Sequence, residues 1–436
     1  MDRVEFSLFH PPSRREYRFA TPDSEANILF DEKESEARGF RVVKAGTLEK
    51  LVELLTHPQH TDTEYLRHFL TTYRSFCDSE RLLELLLERY DVPDAEAVRH
   101  DAKQARFFHK QYRSPVRLRV INVLKQWVEK HFYDFQAPQA RPSDPVVVSR
   151  QEMRRRWYVS ARTGHNRHGS AGTSPWHRAH GRHSRSFRHL LNFHPQEVAR
   201  QMTIIEFHLY KRIWPSELVG LMWTRRDKWQ HAPNVLNMTV RSTLVTRWLT
   251  RCIVETANLN ERVDLISMIV EILKELRSLN NFNGMMEVVS ALNSAAVRRL
   301  NHAWAEVNPR RRALFDECVE QLMGGTNYSR LRQAIEHAPA PKIPFFGMYL
   351  TDMTFIEEGS SDTIPSPLGG VPLINFSKRR LLARTTGTIQ QYQNQQYVLA
   401  EWPLLQVGVV SPAVCFLLWL SPGPWRTCFP SRRLPP

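Results

Sequence analysis

The side chains able to move protons, attack carbonyls or hold metals are scattered along this 436-residue chain rather than grouped. Bond chemistry needs them at short fixed spacings: two histidines a helical turn apart beside a glutamate for zinc hydrolysis, a serine in a glycine-flanked elbow for acyl transfer, a glycine loop ending in lysine for phosphate. None of HExxH, GxSxG, GxxxxGK[ST] or GxGxxG occurs. Gly324-Gly325 reads as a helix stop or turn rather than a phosphate cradle. Five cysteines, Cys77, Cys252, Cys318, Cys415 and Cys428, show neither zinc-site pairing nor the density of a disulfide scaffold, which points to a reduced intracellular setting. The histidines from His165 to His189 lie among arginines that oppose a bound cation, with no thiolate or acidic ligand beside them. The expectation is a protein without covalent chemistry, cofactor or resident metal.

The formal charge of +15 raises nucleic acid and acidic membranes as partners. More than half of it comes from one stretch, Arg141 to His189, with eleven arginines, no lysine and two acids, Asp144 and Glu152. That stretch has no aromatic ladder, no CxxC and no reading helix, so nucleic acid is not the expected partner, while an anionic membrane surface is compatible with it. The charged N-terminus does not read as a signal peptide. The longest apolar run, Ala413 to Leu420, falls short of the ~20 residues that span a bilayer. A cytoplasmic protein is expected.

Apolar spacing of three and four residues then supplies the elements. Thr47 precedes a predicted helix with Leu48, Leu51, Val52 and Leu55 on one face. Leu66, Phe69, Leu70, Tyr73 and Phe76 mark a second, and Ser79 precedes a third carrying Leu82, Leu83, Leu86, Leu87 and Tyr90. Pro115 opens a fourth, lined by Val120, Ile121, Leu124, Trp127, Val128 and Phe132. Residues 137–190 show no sustained period and read as a basic, irregular connector. Longer helices follow; the clearest begins at Asn258, with Glu261 in capping-box spacing and Ile266, Ile269, Leu273 and Leu276 in one stripe. Strand signals are weak apart from short apolar pieces such as 371–376.

These motifs, in this order, resemble the Ras guanine-nucleotide exchange factors. KAGT (44–47) and FLTTYRSFC (69–77) are similar to the family's Ras exchanger motif. HPQEVARQMTIIE (194–206), WPSELVG (214–220), CIVETANLNERV (252–263), LNNFNGMMEVVSALNS (279–294), PFFGMYLTDM (344–353), LINFSKRR (373–380) and IQQYQNQQY (389–397) are similar to its catalytic domain. The likeness covers about 17–135 and 191–402. It implies an all-α fold: a lead-in (1–40), a small helical bundle forming the exchanger motif (41–136), the connector (137–190), a larger helical exchange domain with a protruding helical hairpin (191–403), and a divergent tail (404–436) expected to be disordered. The tail differs from the charged closing helix usual in the family, and the chain is expected to be a fragment or short product without adaptor SH3 motifs.

The resemblance implies accelerated GDP release and GTP loading on a Ras-type small GTPase. The exchanger binds the empty GTPase better than the loaded one, so exchanger and nucleotide weaken each other's binding by the same factor. The first arm of the hairpin should follow 344–347 and run through Leu350 and Thr351 to Glu358; the second should start near Asn375. Glu358 matches an acidic residue placed where phosphate or a water ligand of the GTPase's magnesium would sit. Thr354 stands where the family usually has a leucine that occludes that magnesium. Asn293, Phe345, Tyr328 and Met286 match the gripping set; Arg241 lies one residue from the family's arginine position. Part of the family carries a second, distal site for Ras-GTP, and Leu118, Arg119 and Trp176 match its motif. Action at the inner face of the plasma membrane follows from the same likeness. Two other readings stay open: a Ras-binding module that does not exchange, and a basic lipid- or nucleic-acid-binding protein acting through 141–189.

Overall fold

The computed structural model describes residues 17–59, 62–93, 102–135, 190–402 and 405. The connector, almost all of the tail and Trp176 lie outside the described residues. Among the described residues the regular structure is helical apart from one small sheet, and the chain divides into two units. One comprises Met1–Arg141, Pro215–His231 and Leu350–Thr388; the other comprises Pro142–Trp214, Ala232–Tyr349 and Ile389–Pro436.

In the first unit the chain forms β1 (Ile28–Asp31), α1 (Glu32–Arg38), β2 (Val42–Gly46), α2 (Leu48–Leu55), α3 (Thr63–Thr72), α4 (Ser79–Tyr90), α5 (Ala102–Phe108) and α6 (Ser114–Lys130). The Thr47 hydroxyl accepts from the Lys50 amide at 3.3 Å, which starts α2 where its spacing predicts. α4 departs from expectation at its start. Asp78, not Ser79, caps it, accepting from the Arg81 amide at 2.7 Å. Its inner face is Leu82, Leu85, Leu86 and Arg89, leaving Leu83, Leu87 and Tyr90 exposed. Five leucines in six positions from 82 leave the face ambiguous in sequence; packing chose it.

Pro115 also behaves differently from the expected helix start. A π-helical turn, His109–Arg113, runs from α5 directly into α6, so the proline sits inside a continuous helical stretch. A proline ring crowds the carbonyl four residues earlier and lacks an N–H, and a wider turn just before it relieves both defects. The inner face of α6 is Val116, Val120, Val123 and Trp127, while Leu118, Ile121, Val128 and Phe132 are exposed.

Two short strands before α2 were not legible, and β2 takes its second partner from more than 300 residues away. β1 and β2 pair antiparallel, and β2 also pairs with β4 (Leu373–Asn375), Ala45 against Asn375 and Gly46 against Ile374. β3 (Thr363–Ile364) completes the order β1-β2-β4-β3. Phe376 follows β4 into the core of this unit, its ring 4.7 Å from Tyr65 and 6.4 Å from Phe69.

The second unit is built on α7 (Pro195–Lys211), α8 (Pro233–Glu255), α9 (Leu259–Ser278), α10 (Phe282–Leu292), α11 (Pro309–Met323) and α12 (Ser329–His337). Asn258 caps α9 as its spacing predicts, accepting from the Glu261 amide at 3.1 Å. Beyond the expected stripe, α9 also buries Leu265, Val270 and Ile272, because α7, α10 and α11 surround it. Gly324 ends α11 and Gly325 takes φ +79°, the helix stop read from the pair. Asn258→Ala removes one capped amide partner and should cost about 1 kcal/mol, read as a lower urea midpoint with an unchanged m-value.

Candidate functional site

Apart from the residues expected for the distal site, the site residues named from sequence fall into two groups, one in each unit. In the first unit they lie on α13 (Phe346–Gly359), which with α14 (Phe376–Gln393) occupies the stretches expected for the two arms. Thr351, Thr354 and Glu358 recur at spacings of three and four and so share one face, with Leu350 at its start. Glu358 is exposed and Thr354 half-buried. The Thr354 hydroxyl donates to the Leu350 carbonyl at 2.9 Å, so its proton is engaged within its own helix.

The opposite side of α13 explains how this face is held. Met353 is fully buried, and Glu357 turns inward beside the exposed Glu358. One Glu357 oxygen lies 2.8 Å from the Lys378 ammonium, and the other accepts from the Gly220 amide at 2.8 Å. Lys378 is 2 % exposed in its side chain. It also donates to the Glu357 carbonyl at 2.9 Å and to Asp362 at 2.8 Å, which ties α14 to the end of α13. Arg379 reaches Asp362 at 2.8 Å. Burial opposes ionisation of Asp362, yet the hydrogen bonds from Lys378 and Arg379 hold its carboxyl below the ordinary value. Arg380 and Arg384 both meet Glu34 of α1, at 2.9 and 3.1 Å. Lys378, Arg379 and Arg380 are present in the LINFSKRR match, but their role as a clamp was missed; adjacent cations read as a solvated face until burial is known.

In the second unit, Phe345 and Tyr328 meet edge to face, with ring centroids 5.7 Å apart. Gly347 makes this possible. A β-carbon there would lie 2.5 Å from the Phe345 ring. Asn327 and Tyr328 both take left-handed backbone conformations, φ +50° and +56°, which bulky residues adopt only when their surroundings require it. Asn293 ends α10 as its C-cap and is exposed, its amide 3.9 Å from the Met323 sulfur at the end of α11. Thus Asn293 meets the end of α11, the loop from α11 carries Tyr328, and Tyr328 meets Phe345. Met286 is not beside them on the surface; it is 7 % exposed and belongs to the core.

Arg241, expected among the surface contacts, is likewise interior, 5 % exposed, where it faces the buried carboxyls of Glu206 and Glu287. Burial raises both acids, and their mutual repulsion lifts Glu287 further, well above the usual carboxylate range, while Arg241 pulls both down. One cation faces two buried carboxyls, which favours the protonated form of Glu287. Around it, Asn283 donates to Glu287 at 3.1 Å, and Asn281 bridges Thr203 and the Gly284 amide at 3.0 and 2.9 Å, setting the start of α10. Of the distal residues, Leu118 is 67 % exposed on α6 and Arg119 is half-buried beside it.

The RasGEF domain pattern matches residues 197–380, and the RasGEF N-terminal motif matches 42–150. Protein son of sevenless of Drosophila melanogaster is 36% identical over 438 aligned residues, covering 90% of this chain and 27% of the fly protein. Son of sevenless homolog of Caenorhabditis elegans is 28% identical, covering 91% of this chain and 34% of the worm protein. Ras guanine nucleotide exchange factor P of Dictyostelium discoideum is 32% identical, covering 87% and 26%. The chain therefore spans about a quarter to a third of the length of these relatives.

Two tests follow from the geometry. An acid whose pKa is raised on folding binds its proton more tightly when folded, so this stability is present below the ordinary carboxylate pKa and is lost as pH climbs through the raised one. Glu287→Gln, which keeps the acceptor for Asn283, should flatten the fall in Tm on going from acid to alkaline pH and raise Tm at pH 8. Lys378→Met strands the buried Glu357 carboxylate and should cost about 3–5 kcal/mol, seen as faster amide exchange across 350–388; adding Glu357→Gln should recover part of that loss. Two family patterns in the expected order, with relatives aligned across nine-tenths of the sequence, support one conclusion: this chain belongs to the Ras guanine-nucleotide exchange factor family.

Proposed function

We propose that this chain accelerates GDP release and GTP loading on a Ras-type small GTPase, without making or breaking a covalent bond. The observation that carries the reading is the match to both the RasGEF domain and its N-terminal motif, with α13 presenting Thr351, Thr354 and Glu358 on one exposed-side face over a buried clamp. On this reading α13 and α14 act as a hairpin inserted into the nucleotide site. The Glu358 carboxylate repels phosphate and competes for the water shell of the GTPase's magnesium. Asn293, Phe345 and Tyr328 grip the GTPase, so that the empty state is stabilised and nucleotide is expelled by linkage. Met286 and Arg241 contribute by shaping the core beneath that surface rather than by contact. No cofactor takes part in this scheme.

Leu118 and Arg119 belong to the distal site in this reading, where a second GTPase in its GTP state docks on the exposed apolar side of α6; Trp176, which matches the same motif, lies outside the described residues. The place of action is the cytoplasmic face of the plasma membrane, where the basic stretch 141–189 meets anionic lipid.

A second reading, a binder that does not exchange, is favoured by Thr354 alone. Its short side chain, with the hydroxyl engaged by Leu350, fills less space than the leucine usual in the family. Release of fluorescent GDP from purified Ras, Ral and Rap separates the two. Acceleration of at least one GTPase is expected, with a loss of about 10-fold or more in Glu358→Ala and a gain in Thr354→Leu. Capture of nucleotide-free Ras with no acceleration would favour the binder.

A further inference from the structure

We infer that Phe355 is an additional GTPase-contacting residue, the apolar anchor of the α13 face; this rests on the exchange-factor reading above and extends it to a residue outside the expected set. At 70 % exposed, Phe355 is the most exposed aromatic side chain among the described residues. A single exposed apolar residue needs no explanation, but this one has a position that does. At 100° per residue, Thr354, Glu358, Thr351 and Phe355 fall within an arc of about 100° on α13. Met353 and Glu357 occupy the other side, where they are held by burial and by Lys378. Phe355 thus stands at one edge of the very face that carries Thr351, Thr354 and Glu358.

The backing matters as much as the exposure. The helix beneath Phe355 is immobilised by the Glu357–Lys378–Asp362 network, so its ring is presented with little backbone freedom left to lose on binding. Rigid, exposed aromatic side chains surrounded by polar neighbours are the usual anchors of protein interfaces, seated in a pocket on the partner and ringed by weaker contacts. The chemistry implied for the partner is an apolar depression beside hydrogen-bond donors, the ring entering the depression and Glu358, one turn on, meeting the donors. Thr354, at one edge of this face, leaves little apolar surface there, and Phe355 supplies it at the other edge.

The test uses the full chain with Phe355→Ala and Phe355→Leu, and measures affinity for nucleotide-free Ras, Ral and Rap together with GDP-release kinetics on each. The expected result is a loss of about 30-fold or more in affinity and in kcat/KM for Phe355→Ala on the GTPase preferred by the unaltered chain. Phe355→Leu should recover most of it, and neither variant should change helicity or Tm, because the ring is not part of the core. Affinity and rate within 2-fold of the unaltered chain in Phe355→Ala would overturn the inference while leaving the exchange reading intact. If the unaltered chain neither binds nor accelerates any of the three GTPases, the exchange reading fails and this inference with it, a result visible before either variant is compared.

Discussion

A buried ammonium holds the candidate hairpin together. Lys378 has almost no solvent exposure and meets Glu357, Asp362 and the Glu357 carbonyl within 2.9 Å. A lysine in that position is tolerable only because every direction available to its charge is answered, and the answer comes from the end of α13, the segment after it and the start of α14. The network therefore does two things at once. It joins helices separated by some sixteen residues of chain, and by turning Glu357 inward it determines which neighbouring carboxylate, Glu358, is left facing out.

The same logic recurs around the sheet. β4 completes a sheet begun near the N-terminus, Phe376 enters a core formed by α2, α3, α4 and α6, and Arg380 and Arg384 converge on Glu34. The hairpin residues are thus supported by the RasGEF N-terminal motif through backbone pairing and aromatic packing, and by Glu34, just before that motif, through charge. A hairpin of two helices and two short strands has little core of its own, since few of its side chains can be shielded without a neighbour. Support from a distant part of the chain is the physical solution.

In the second unit the comparable device is the buried polar cluster of Glu206, Glu287, Arg241, Asn281 and Asn283. It orders the start of α10, whose far end presents Asn293, while the strained Asn327-Tyr328 turn aims a ring at Phe345. In both units the surface is set by local constraint: the buried Lys378 network in the first, and the left-handed Asn327-Tyr328 turn in the second.

Helix positions were legible locally because caps and apolar periods act over one or two turns. Thr47, Asn258 and Gly324 each do what their spacing implies, and the ordered motifs were long enough to identify the family. The faces of α4 and α6, the pairing of β2 with β4, and the inward positions of Met286 and Arg241 were not legible. Those features depend on which surface arrives opposite, and a leucine-rich segment or a run of cations is compatible with several arrangements until one is packed. The amino-acid sequence by itself therefore determined the helices, their order and the family. Only the tertiary structure decided that Lys378 is buried, that Glu357 rather than Glu358 is its partner and that Phe355 is left in water, because burial is a property of surfaces brought together from distant parts of the chain and not of any residue alone.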